Sequence, residues 1–179
     1  LRLRRQGKFN HRIASGDKRP VIVSEGDSWF HFPIFLDDTI SHLFESYNVW
    51  TVAAAGDTLQ NMVFENSEFM RALREHSGAT RAFLFSAGGN DVLGEDDAGR
   101  SILSGLIHAY QAEKPVEWYL GHRGLAEKLS FVEDAYHRMI NAVAREFPKL
   151  PILIHGYDYA IPGGSAGDPR RPKWAAQDR

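Results

Sequence analysis

A serine, a glycine and an asparagine each lie just beyond a run of residues that reads as a β-strand. Ser28 stands in Gly26-Asp27-Ser28, after Val21-Ile22-Val23. Gly56 closes the run from Val49 to Ala55, and Asn90 stands in Gly88-Gly89-Asn90-Asp91, after Phe83-Leu84-Phe85. Ligands of open α/β sheets bind beyond the carboxyl ends of the strands, so the three residues can face one pocket. A serine hydroxyl becomes a nucleophile when a base takes its proton and donors receive the negative charge of the oxyanion. A strand-to-helix turn exposes such a side chain and leaves backbone N–H groups unpaired. Glycine lets the backbone approach a ligand, and an asparagine amide can donate to an oxyanion. The chemistry these parts could do is acyl transfer.

Each residue alone has a plainer reading. Ser28 could cap a helix, Gly56 could only make a tight turn, and Asn90 could be a turn residue held by Asp91. What is specific is their order and their shared place at strand ends. The Gly-x-Ser-x-Gly elbow of the α/β-hydrolases is absent, so that family is not supported. Gly-Gly-Asn-Asp lacks the regular carboxylate spacing of a calcium loop. A flavodoxin-like nucleotide or phosphate binder is disfavoured, because no Walker or Gly-x-Gly-x-x-Gly pattern follows a strand.

The elements that must position these residues alternate. Pro20 opens a strand that ends near Glu25, and the spacing of Leu36, Ile40, Leu43 and Phe44 predicts a helix over Phe35 to Tyr47, with Asp37 and Asp38 in its first turn. A second strand runs from Val49 to Ala55, a second helical stretch from Leu59 to His76, and a third strand from Arg81 to Ser86. Ser101 to Tyr110 reads as a short helix, Gly121 to Phe147 as the longest one, and Pro151 to His155 as a fourth strand. Strands alternating with helices imply a parallel sheet with right-handed crossovers. Residues 1–19 are basic and read as a solvated lead-in; 161–179, rich in Gly, Pro and charge, read as a loop or linker.

Taken together, Gly26-Asp27-Ser28, Gly56 and Gly88-Gly89-Asn90-Asp91 resemble the successive blocks of the SGNH, or GDSL, hydrolase family, over about residues 20–160. The resemblance implies a flavodoxin-like three-layer α/β/α sandwich around a central parallel sheet. It implies that Ser28 is the nucleophile and that the Ser28 N–H, the Gly56 N–H and the Asn90 side chain form the oxyanion hole. The familiar variant has leucine after the serine; here the residue is Trp29. The family's base comes from an Asp-x-x-His block after the last strand. The one such string, Asp134-Ala135-Tyr136-His137, lies inside the longest predicted helix with Tyr136 on its apolar face, so it is not that block. The expectation is that the base, a fifth strand and a closing helix lie beyond Arg179; the alternative is a small-molecule or carbohydrate binding domain on the same fold without the base.

Trp29, Asp27, Gly89 and His155 are placed at the substrate pocket, with Trp29 the leading wall residue and Phe30, Phe32 and Phe35 mostly in the core. The implied substrate is a small carboxylic ester: an acyl ester, a thioester or an O-acetylated carbohydrate. No cofactor or metal is called for, and His11, His42, His76, His108 and His122 show no paired ligand spacing. At 179 residues, 43% hydrophobic and 25% charged, the composition is that of an ordinary globular domain. A net charge of -2 argues against a general nucleic-acid binder, and the absence of cysteine excludes disulfides and thiolate chemistry. No apolar stretch approaches the roughly 20 residues of a membrane span. No signal peptide is visible, which favours the cytoplasm, but the chain starts at Leu1 rather than Met and the compartment stays open, as does the oligomeric state.

Overall fold

Every residue of β1 (Val21–Gly26) is buried, as expected for an inner strand of a parallel sheet covered on both faces. The computed structural model describes residues 1–32, 37–96 and 98–156. Its sheet has 4 strands in the order β2-β1-β3-β4, with β2 (Asn48–Thr51), β3 (Thr80–Ser86) and β4 (Ile152–Ile154), all pairing parallel. Period-two alternation divides the core. Val23, Phe83 and Phe85 face one layer, where α3 (Glu68–Glu75) brings Phe69 and Leu73 and α6 (Arg123–Glu146) brings Met139 and Val143. Ile22, Val49 and Leu84 face the other, with Phe30 and with Ile40 of α2 (Thr39–Leu43). The result is the expected α/β/α arrangement. On the outer strand β4, Leu153 and Ile154 are 55% and 46% exposed.

The register sets the site. Ser24 pairs with Thr51, Gly26 with Ser86, and Phe85 with Ile154. All the strands therefore end on one rim, and Ser28, Gly56, Asn90 and His155 follow β1, β2, β3 and β4 onto it.

Several elements differ from the sequence expectation. The basic lead-in is a helix, α1 (Arg2–Ala14), that lies against β2. Phe9 is buried, with its ring 5.3 Å from Trp50 and 5.1 Å from His76. Arg5, only 6% exposed, donates to Asp38 Oδ1 at 2.6 Å, to Ser41 Oγ at 2.8 Å and to the Phe30 carbonyl at 2.8 Å. Among the described residues α2 is shorter than the predicted Phe35 to Tyr47 helix: Asp38 caps it by accepting the Ser41 N–H, and it ends at Leu43. The stretch from Leu59 to His76 is split. A π-type turn (Gln60–Glu65) is followed by Ser67 at φ 44, and α3 starts after it. Ser101 to Tyr110 holds one 3-10 turn (Leu103–Gly105) rather than a helix, and α5 (Val116–Leu120) forms where none was expected. The paired part of the second strand stops at Thr51. The Gly/Pro-rich 161–179 segment lies outside the described residues.

The Arg5–Asp38 pair has both side chains nearly dry. Removing one member of such a pair strands the other, at a cost of about 3–5 kcal/mol. Arg5→Met is therefore expected to lose about 3 kcal/mol in urea denaturation. Arg71→Ala, which breaks the exposed Arg71–Glu68 pair, should lose less than about 0.5 kcal/mol.

Candidate active site

The turn that carries Ser28 begins at a position only glycine can fill. A Cβ on Gly26 would lie 2.8 Å from Phe30 Cδ2 and 2.9 Å from the Ser86 carbonyl oxygen. From there the Asp27 N–H donates to Ser86 O at 3.1 Å, and Asp27 O accepts from Phe30 N and His31 N, each at 3.0 Å. Asp27 Oδ1 accepts the Trp29 N–H at 3.1 Å. Ser28 sits at the apex of this turn, half-buried, between buried Asp27 and Trp29, which is 51% exposed. Among the described residues neither the N–H nor the hydroxyl of Ser28 is engaged in a hydrogen bond.

The Gly56 block is tied to the same strand end. Val52 N donates to Ser24 O and Ala54 N to Gly26 O, both at 2.9 Å, so the chain follows β1 to its tip before turning at Gly56. Gly56 has φ +79, the left-handed region that favours glycine, and is exposed. The Asn90 block joins it directly: Asn90 Nδ2 donates to Asp57 O at 2.7 Å. Asn90 lies in α4 (Gly89–Leu93), which starts after Gly88 at φ +104. Asp91 is buried and accepts the Leu59 N–H at 2.9 Å, rather than only steadying its own turn.

His155 is carried to the rim by the bond from its N–H to Phe85 O, 2.8 Å. Its Nδ1 lies 3.1 Å from Ser86 Oγ, and its ring 5.3 Å from Trp29 and 6.0 Å from Phe30. Trp29 and His155 thus stand side by side beyond the strands, with Gly89 half-buried at the start of α4. Asp27, expected at the pocket, is 1% exposed; its Oδ1 accepts the Trp29 N–H and lies 3.4 Å from Ser86 Oγ. His137 is on the exposed side of α6. Among the described residues no cluster of side chains could hold a metal ion.

Two acidic groups under the site were not singled out from sequence. Glu25, in β1, is 2% exposed and accepts the Gly26 N–H at 3.0 Å. Burial, and then the negative charge of Asp57, hold its carboxyl well above the usual range. Burial also raises Asp57, against the lowering effect of its bonds from Asn61 and Thr58. An acid whose folded pKa is raised keeps its proton in the native state after the unfolded chain has lost it. Stability then falls as pH climbs from the unfolded value through the folded one. Glu25→Gln, which cannot ionise, is expected to flatten the decline in unfolding free energy as pH climbs above the ordinary glutamate value of about 4.3, and to equal or exceed the wild type at the alkaline end. Urea titrations across that range provide the check.

No family model matches the chain. No curated protein matches it. Among solved structures, the chain is similar to one named "putative platelet activating factor" from Streptococcus pneumonia, with 19% identity and a TM-score of 0.42, covering 86% of this chain and 53% of that one. This chain thus spans about half the length of that protein, 53%.

Proposed function

We propose that this chain carries the nucleophile and oxyanion site of a serine hydrolase of the SGNH type acting on small carboxylic esters. The observation that supports it most is the bond from Asn90 Nδ2 to Asp57 O, which joins the second and third blocks at the end of the strand that carries Ser28. An amide nitrogen has two hydrogens, and one is used by Asp57, leaving the other for an oxyanion. In this reading Ser28 Oγ attacks the ester carbonyl carbon, and its proton passes to a histidine base. The resemblance puts that base in an Asp-x-x-His block after the last strand. The tetrahedral oxyanion is held by the Ser28 N–H, the Gly56 N–H and the Asn90 amide. The base returns the proton to the departing alcohol, and water then cleaves the acyl-serine to free acid and restored hydroxyl. Trp29, Gly89 and His155 would border the pocket.

Rapid mixing of the full-length gene product with p-nitrophenyl acetate tests this. The expected result is a burst of p-nitrophenol equal to the protein concentration, followed by slower turnover. A folded protein with no burst and no turnover of acyl, thioester or acetyl-sugar substrates would overturn the hydrolase reading and leave a binding domain.

A further inference from the structure

We propose that Ser86 and His155 are positioning residues for the nucleophile turn, acting through a hydrogen-bond chain from His155 Nδ1 by way of the Ser86 hydroxyl to Asp27 Oδ1. The proposal rests on the reading of Ser28 as nucleophile and extends it to residues outside the blocks that suggested it. Ser86 is the last residue of β3 and is fully buried, yet its side chain is polar. It meets the turn twice: its carbonyl takes the Asp27 N–H at 3.1 Å, and its hydroxyl lies 3.4 Å from Asp27 Oδ1. That same carboxylate oxygen takes the Trp29 N–H at 3.1 Å, so one oxygen atom fixes the residues on either side of Ser28.

The direction of the chain follows from what each group can give. A carboxylate only accepts, so the Ser86 O–H donates to Asp27. The Ser86 oxygen then accepts from His155 Nδ1 at 3.1 Å, which places a ring hydrogen on Nδ1. The His155 backbone is pinned to Phe85 O at 2.8 Å, so the ring is held from two sides. It also lies 5.3 Å from the Trp29 ring, on the outer side of the turn. Asp27 inside and Trp29 outside are thus clamped by one Ser86–His155 pair that joins the ends of β1, β3 and β4. Misplacing a reacting group by about 1 Å can cost about a hundredfold in rate, so such a clamp has kinetic weight.

The test compares Ser86→Ala, Ser86→Thr, His155→Ala and His155→Asn with wild type, per burst-titrated active site. Ser86→Ala and His155→Ala are expected to lower kcat about 10–100-fold with KM changed less than about threefold. Ser86→Thr keeps the hydroxyl and His155→Asn keeps a donor near Nδ1; each should recover most of the loss. The double alanine variant should be no slower than the worse single one, because both break one chain. Independently of turnover, NMR of the imidazole nitrogens should find a His155 hydrogen on Nδ1, and exchange of the Trp29 amide should quicken about tenfold in Ser86→Ala and revert in Ser86→Thr. A His155 Nδ1 without a hydrogen, or a Trp29 amide indifferent to Ser86→Ala, overturns the proposal whatever the activity. Conservative variants as slow as the alanine ones overturn it too. A wild type that shows no burst while its Trp29 amide responds as described overturns the hydrolase reading and spares the clamp.

Discussion

Ser28→Ala is expected to lower kcat/KM for a small ester by about four to six orders of magnitude while leaving the protein folded. The size follows from the role proposed for Ser28. Without the hydroxyl no acyl-enzyme forms, and what remains is the residual effect of binding and of the oxyanion donors on attack by water. The harmlessness to folding follows from the geometry. Ser28 is half-buried, its side chain makes no hydrogen bond among the described residues, and the turn is held by Asp27, Phe30 and His31 instead. A change in unfolding free energy within about 0.5 kcal/mol is therefore expected, checked by urea denaturation beside the kinetics. A variant that stayed fully active would remove Ser28 from the chemistry.

Asn90→Ala carries the second large effect, about 10²–10³ in kcat with KM little changed, because the amide is assigned to an oxyanion that exists only past the ground state. The substitution also removes the bond to Asp57 O, worth about 1 kcal/mol. Loosening of the Gly56 loop could by itself slow the reaction, so a control is needed. Asn61→Ala removes the 2.6 Å bond from Asn61 Nδ2 to Asp57 Oδ1 in the same loop without touching the proposed oxyanion site. It should slow kcat less than about tenfold. Equal losses in the two variants would assign the effect to the loop and not to the amide.

The sheet was legible because its strands are short apolar runs that end in Gly or polar residues. Val21-Ile22-Val23 and Phe83-Leu84-Phe85 are buried on both faces, and burial of that kind leaves a mark in sequence that needs no partner to be read. Helix α6 was legible for a related reason: Leu125, Leu129, Val132, Tyr136, Met139 and Val143 repeat with the period of a helix along its length. Helix α1 was not, because its inward face includes an arginine. Arg5 and Phe9 are one turn apart and both buried, but Arg5 is neutralised by Asp38, 33 positions away, and no local pattern announces that partner. The break at Ser67 was hidden for the opposite reason: the apolar residues run on through it, and a serine at φ 44 gives no glycine or proline to mark the turn.

Within the site, Ser28, Gly56 and Asn90 could be picked out because each lies in a short contiguous block at a strand end. Their mutual bonds could not. The Asn90–Asp57 contact and the Asp27–Ser86–His155 chain depend on the register that sets Gly26 beside Ser86 and Phe85 beside Ile154. The burial of Asp27 was not legible either, because a sequence block does not say which of its side chains turns inward. Glu25 was passed over because one acid in an apolar strand looks like an outward-facing residue until both faces of the sheet are found covered.

The most direct test of the central claim is fluorophosphonate labelling of the full-length gene product, with the adduct located by peptide mass. One equivalent of label on Ser28, absent from Ser28→Ala and much slower in Asn90→Ala, is the predicted result. A label on a different serine, or a folded wild type that takes up none, would contradict the assignment of Ser28 as an activated nucleophile.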